Sequence, residues 1–187
     1  MKKIVTLLAV LAVSSVIAAP SHATDLKGKW GLGYQRELAP VGARFWLSPK
    51  VGLDLGVGFQ SVSDDNSVVG EKGTSFAFDI GMPYVLASSG NTNFWIRPGV
   101  TFASVPNDYL DGVGNRVDNS ASIFWVSGDL GVEHFFSDNF SLQAAHGVVF
   151  KDYDPGSDQA GTKYSTFETE AFGISSIGFH YYFGGSK

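Results

Sequence analysis

The stretch Val51-Gly52-Leu53-Asp54-Leu55-Gly56-Val57-Gly58-Phe59-Gln60 puts a large apolar side chain at every odd position and glycine, aspartate or glutamine at every even one. Successive side chains of a β-strand point to opposite faces, so these residues form a strand with one wholly apolar face and one small or polar face. On a helix the same apolar residues would scatter around the axis and make no stripe.

The pattern recurs along the chain. Phe76, Phe78, Ile80, Met82 and Tyr84 oppose Ser75, Ala77, Asp79 and Gly81. Phe94, Ile96, Val100 and Phe102 oppose Trp95, Arg97, Gly99 and Thr101. Phe124, Val126, Leu130 and Val132 alternate with Trp125, Ser127, Asp129, Gly131 and Glu133. Eight segments of this kind are expected, at about 30–38, 41–47, 51–61, 74–85, 93–104, 121–136, 140–150 and 167–183. Most reach the roughly 9–11 residues with which a tilted strand crosses a bilayer. The connections at 48–50, 86–92 and 137–139 are shorter than those at 62–73, 105–120 and 151–166, and Ala39-Pro40 makes a further short link. Outer-membrane barrels alternate short periplasmic turns with longer outer loops in this way.

The N-terminus carries a separate signal. Met1-Lys2-Lys3 precedes an apolar run from Ile4 to Ala19 and then Ser21-His22-Ala23. A basic start, a short apolar core and a small-x-small site describe a secretory signal peptide at 1–23, leaving a barrel domain at 24–187. Loss of Lys2 and Lys3 leaves 11 basic against 18 acidic residues, a net −7. That balance argues against nucleic acid as a partner, because phosphate binding needs clustered Lys and Arg. The chain has no cysteine, which excludes disulfides, thiolate metal sites and cysteine nucleophiles.

Alternation alone does not say which face meets solvent. A soluble periplasmic barrel with an apolar ligand-binding interior would alternate too. The polar face decides. It is mostly Gly, Ala and Ser with single charges, and all seven lysines of the exported part fall outside the expected strands. Soluble sheets place lysine on wet faces and edges. A small face suits the narrow lumen of eight strands, which side chains fill. The expected fold is therefore all-β: an eight-stranded antiparallel up-and-down transmembrane β-barrel. Trp30, Tyr34, Phe59, Tyr84, Phe140, Tyr181 and Phe183 near strand ends match aromatic girdles.

The C-terminal residues Ser176-Ile177-Gly178-Phe179-His180-Tyr181-Tyr182-Phe183 resemble the terminal-strand signal of bacterial outer-membrane barrels, although Gly184-Gly185-Ser186-Lys187 follow the last Phe. Gly131-Val132-Glu133-His134-Phe135-Phe136-Ser137-Asp138-Asn139-Phe140-Ser141-Leu142 resembles the strand–turn–strand of the small barrels related to the OmpA membrane domain, OmpX and the opacity proteins. The resemblance implies a Gram-negative outer membrane, lipid and lipopolysaccharide as surroundings, and barrel-assembly machinery that reads Gly178, Tyr181 and Phe183.

Inside such a barrel the alternation places Arg44, Asp54, Asp79, Arg97, Asp129 and Glu133, with Gln143 near them. Buried charges must be paired, so these form either a satisfied polar filling or a proton-sensitive gate. Trp46, Trp95 and Trp125 also point inward. No catalytic residue, metal site or cofactor is expected. His134, Ser137 and His146 lack a nucleophile context, and Asp152-Tyr153-Asp154-Pro155-Gly156-Ser157-Asp158 lacks the sixth-position Gly of a calcium loop. The leading role is structural or surface-interaction, with an extracellular ligand met through loops 62–73, 105–120 and 151–166. A narrow conduit for small or hydrophobic solutes, a soluble carrier and a lipid A-modifying enzyme are the alternatives.

Three features sit awkwardly. Pro83 and Pro98 lie in strands and are expected to mark a bulge. His146 falls on the apolar face, where a bulge would turn it inward. The last strand changes phase between Phe172-Gly173-Ile174 and Ile177.

Overall fold

The computed structural model describes residues 26–36, 38–62, 73–158, 160–169 and 176–185. The expected signal peptide, the interior of loop 62–73 and the phase change at 172–174 lie outside these residues. All regular structure described is β: β1 (Lys29–Tyr34), β2 (Val41–Trp46), β3 (Gly52–Val62), β4 (Gly73–Gly81), β5 (Tyr84–Ser89), β6 (Thr92–Pro106), β7 (Tyr109–Leu110), β8 (Arg116–Val117), β9 (Ser120–Phe135), β10 (Phe140–Asp154), β11 (Tyr164–Thr169) and β12 (Ser176–Gly184).

Each strand pairs antiparallel with its neighbour, and the last returns to the first through Trp30 opposite Phe183. β4 and β5 both pair with β6, and β11 and β12 both pair with β10, so each couple is one stave. The result is an eight-staved, closed, up-and-down barrel. β7 and β8 form a separate small hairpin within loop 105–120. Closure leaves no free edge where the ladder is complete, which an open sheet of this composition could not achieve.

Leu26 and Gly185, the first and last described residues, and three tight turns share one end. The connection expected at 86–92 contracts to Gly90-Asn91, with Gly90 in the left-handed region at φ 54°. At the opposite end β1 leads to β2, β3 ends and β4 begins, β6 leads to β9, and β10 leads to β11. The tall strands also run further than expected. β10 continues to Asp154, so Lys151 lies within a stave, 3.6 Å from Glu168, and not in a loop.

The first stave is shorter than its expected 30–38 span. β1 stops at Tyr34, and the described residues 35–36 and 38–40 fold into the mouth, burying Gln35, Arg36 and Ala39. The inner face of β3 has room for this because Gly56 and Gly58 carry no side chain. A Cβ on Gly56 would stand 3.1 Å from that of Ala39, and one on Gly58 would collide with the Leu38 carbonyl.

The two prolines do not make the expected bulge. Gly81 opposite Gly99 and Tyr84 opposite Ile96 keep one register across Met82-Pro83, so no residue is inserted there. Pairing merely lapses, and the carbonyls of Pro98 and Pro83 still accept from Met82 and Gly52 at 2.9 Å. The register shift falls nearer the turn, between Val85 and Ala87. His146 likewise stays on the outer face. β9 and β10 pair without interruption from Phe135–Ser141 to Ser122–Asp154, which leaves no extra residue to rotate it.

Candidate functional site

The barrel interior is layered. At the short-turn end Leu26, Trp46, Val85, Phe135 and Tyr182 form an apolar floor. Small residues, Ala77, Ala103, Ala121 and Val149, line the opposite half. Between them sits a band of arginine and carboxylate side chains.

Cross-strand register builds that band. Arg44 on β2 lies opposite Asp54 on β3, and Arg97 on β6 opposite Asp129 on β9. Arg44 grips Asp54 with two parallel bonds, Nε to Oδ1 at 2.6 Å and Nη2 to Oδ2 at 2.8 Å. Its third nitrogen donates to Glu133 at 3.0 Å. Arg97 donates to Asp54 at 2.7 Å, to Asp79, and to Asp129 at 3.4 Å. Planar guanidinium forks suit such multiple carboxylate contacts. The structure therefore brings all six sequence-derived lumen charges into one connected network. Neutral donors complete it: Thr101 to Asp79 at 2.8 Å, Ser141 to Glu133 at 2.6 Å and Tyr182 to Glu133 at 2.8 Å. The Arg44 guanidinium also lies 5.7 Å from the Trp46 ring and 5.5 Å from that of Trp95, within cation–π range.

Sequence reasoning missed a third arginine. Arg36, from the infolded loop, donates to Asp129 at 2.5 Å and to Ser127 at 3.4 Å, and stands 3.8 Å from Asp79. A signal was present. Continuing the β1 alternation would have left Arg36 on the apolar outer face, an expensive place for a charge if that face meets lipid. Three arginines thus oppose four carboxylates, and all are buried.

Inward glycines make the band possible. A Cβ on Gly81 would enter the Arg97 guanidinium, and one on Gly131 would enter the Trp95 ring. A pocket in the band, bordered by Arg36, Arg44, Asp54, Arg97 and Asp129, has a volume of about 10 Å³, room for roughly one water. Gln35, Gln143 and Oδ1 of Asp129 border it and have side-chain atoms without a protein partner. His180 is buried and makes no hydrogen bond. Neither ring nitrogen has a partner, and Nδ1 stands 3.8 Å from Glu133. Ser141 donates to the carboxylate and not to the imidazole, so the three do not form a nucleophile–base relay.

Gly178, Tyr181 and Phe183 are not part of this network. They lie on β12, with Gly178 packed beneath Gln143, and Tyr181 and Phe183 on the outer face, where Phe183 stacks on Trp30 at 4.6 Å.

Two of the expected outer loops are ordered and tied together. Asp108 receives the Asn119 backbone N–H at 2.9 Å and the Arg116 guanidinium, fixing the β7–β8 hairpin. These donors hold the Asp108 carboxyl below the usual range, the Asn119 N–H contributing most. Asn119 and Asn107 also donate to the Pro155 carbonyl at 2.6 and 3.1 Å. In the 152–158 segment Asp152 accepts from Ser165 and Asp154 from Gly156 and Lys163. Among the described residues no three His, Cys, Asp or Glu side chains converge as metal ligands.

Fold and interior together define a closed eight-staved β-barrel plugged by an ion-pair network, with structured loops at one end. No family model, curated protein or solved structure matches the chain.

Proposed function

We propose that this protein is an integral outer-membrane barrel. It is exported by a signal peptide at 1–23, inserted by assembly machinery that reads Gly178, Tyr181 and Phe183, and used as a rigid scaffold for surface loops. One observation carries the reading: polarity is inverted. Leu32, Leu55, Val57, Phe78, Ile80, Val100, Phe102, Val126, Leu130 and Phe179 face outward and exposed, while arginines and carboxylates are buried. Soluble monomers rarely expose contiguous apolar patches beyond a few hundred Å². A bilayer is the solvent in which such a wall is favourable and a closed barrel is required. A soluble carrier would need the opposite arrangement, with an apolar interior throughout.

The short-turn end, where the described residues begin and end, faces the periplasm in this reading, and the tied loops at 107–119 and 155–163 face outside. Binding residues tend to sit on loops held by a rigid scaffold. Lipopolysaccharide and an extracellular ligand are the partners this arrangement addresses. The network closes the lumen, so the charges serve as filling and anchor, not as a pore lining.

The test is to express the full chain in a Gram-negative host, isolate outer membranes, and run SDS gels with and without boiling. The protein is expected in that fraction, with a heat-dependent change in mobility. A periplasmic, heat-indifferent protein would overturn the reading.

A further inference from the structure

The barrel wall is uneven. β1 and β2 have six residues each, whereas β3 has 11, β6 15, β9 16 and β10 15. β3 pairs with β2 only as far as Val57 opposite Val41, and its continuation from Gly58 to Val62 pairs only with β4 among the described residues. On the other flank β1 pairs with β12 only as far as Tyr34 opposite Phe179. Among the described residues, staves one and two therefore end low, and β3 on one side and β11 with β12 on the other flank a notch above them.

The side chains around the notch are the barest of the described wall. Phe59 and Ile177 are each 75% exposed, Phe167 70% and Val41 66%, against about half for Leu55, Val57, Phe78 and Ile80. Six residues span only about 20 Å, short of a bilayer core of about 30 Å. The linking loop 35–40 thus sits at membrane depth in the reading above. Irregular backbone is tolerated there only when it is buried in protein or lines a cavity. This loop does both, through Ala39 against Gly56 and through the pocket it roofs.

That pocket has a volume of about 330 Å³ and lies between Leu38 and Pro40 of the loop and Gly58, Ala77, Ala103 and Val105 of the wall. Among the described residues its lining has no charged side chain, and Gln60 and Ser75 supply the polar ones. Phe59 and Phe76, both on the outer face, border it. Beneath it the ion-paired band closes the lumen.

We propose that this is a blind binding site for a single alkyl chain, reached sideways from the membrane through the notch over β1 and β2. The inference rests on the membrane reading. The described lining carries no charge, so an ionic ligand would be desolvated against it without compensation. The volume is at the lower end for small-molecule sites, which fits one chain and not a two-chain lipid body. The opening adjoins the apolar belt, where an alkyl chain is already dissolved. The closed floor makes the site a receptor and not a conduit.

The test uses protein from the full chain, purified and placed in nanodiscs, with labelled methyl groups. In one arm the lipid is deuterated and protonated decane is added. In the other the lipid chains are protonated and no decane is present. Nuclear Overhauser contacts from alkyl protons to the methyls of Ala77 and Ala103 are expected in at least one arm, which names the source as a free alkane or a lipid chain. Leu55 and Val57 report the outer face in the same spectra. Contacts at Leu55 and Val57 without contacts at Ala77 and Ala103 would overturn the pocket and keep the membrane barrel. No contact at either set would overturn both. Ala103→Phe, which fills the cavity, is expected to abolish contacts at Ala77 and leave those at Leu55 unchanged. Persistence of the Ala77 contacts in that variant would also refute the assignment.

Discussion

Replacing Arg97 with alanine removes the guanidinium that joins three carboxylates, and the consequences for each differ. Asp54 keeps both bonds from Arg44, at 2.6 and 2.8 Å. Asp129 keeps Arg36 at 2.5 Å. Asp79 retains only the Thr101 hydroxyl at 2.8 Å, with Arg36 at 3.8 Å. The loss therefore concentrates on one buried carboxylate left without a close cation. Breaking a buried pair from one side destabilises by about 3–5 kcal/mol, and the surviving partners of Asp54 and Asp129 put this case near the lower figure. Urea unfolding in lipid vesicles, followed by tryptophan emission, reads the change. If Asp79 carries the penalty, the double variant Arg97→Ala/Asp79→Asn recovers about 1–2 kcal/mol relative to additivity, because the unpaired charge is gone. An unchanged midpoint in Arg97→Ala, or strict additivity in the double variant, would refute the reasoning.

Other outcomes follow from the same contacts. Arg36→Ala is expected to destabilise less than Arg97→Ala, by about 1–3 kcal/mol, since Asp129 keeps a longer contact to Arg97; a larger loss in the same unfolding assay would contradict this. Gly131→Leu drives a side chain into the Trp95 ring, and overpacking of about 1–3 kcal/mol or more should appear as a lower fraction of heat-modifiable protein on gels. Asp108 has a lowered pKa in the folded state, so it stabilises the β7–β8 hairpin at neutral pH, and that support fades as pH falls below the ordinary aspartate value of about 3.9. Amide exchange at Asn119 should accelerate in that acid range, and Asp108→Asn should remove the dependence. Tyr182→Phe deletes one donor to Glu133 while Arg44 and Ser141 remain, so a loss of about 1 kcal/mol is expected in urea titration.

The barrel was legible because alternation is a local property. In Val51–Gln60 the inward position of Asp54 follows from its neighbours alone, and the same holds for Arg44, Asp79, Arg97, Asp129 and Glu133. What the period cannot carry is how an irregular segment returns to the core. Residues 35–40 have no repeat, so the burial of Arg36 depends on the empty inner faces of Gly56 and Gly58, which are distant in sequence. The prolines misled for a related reason. A missing N–H predicts a disturbed ladder, but whether a residue is inserted depends on both partner strands, and Gly99 and Ile96 hold their register. His180 shows the limit for side chains. Its inward direction is periodic, whereas a hydrogen bond requires a partner at the right height, and Glu133 stands too far away.

The central claim is that the outer face meets hydrocarbon. The chain has no cysteine, so single cysteines can be introduced and spin-labelled at Leu55, Val57, Ile96, Val100 and Phe102 in protein returned to lipid vesicles. Collision with oxygen and with a water-soluble nickel complex then reports the surroundings of each label. The account predicts that all five positions are open to oxygen and closed to nickel. Ready collision with nickel at these positions would place the apolar wall in water and contradict it.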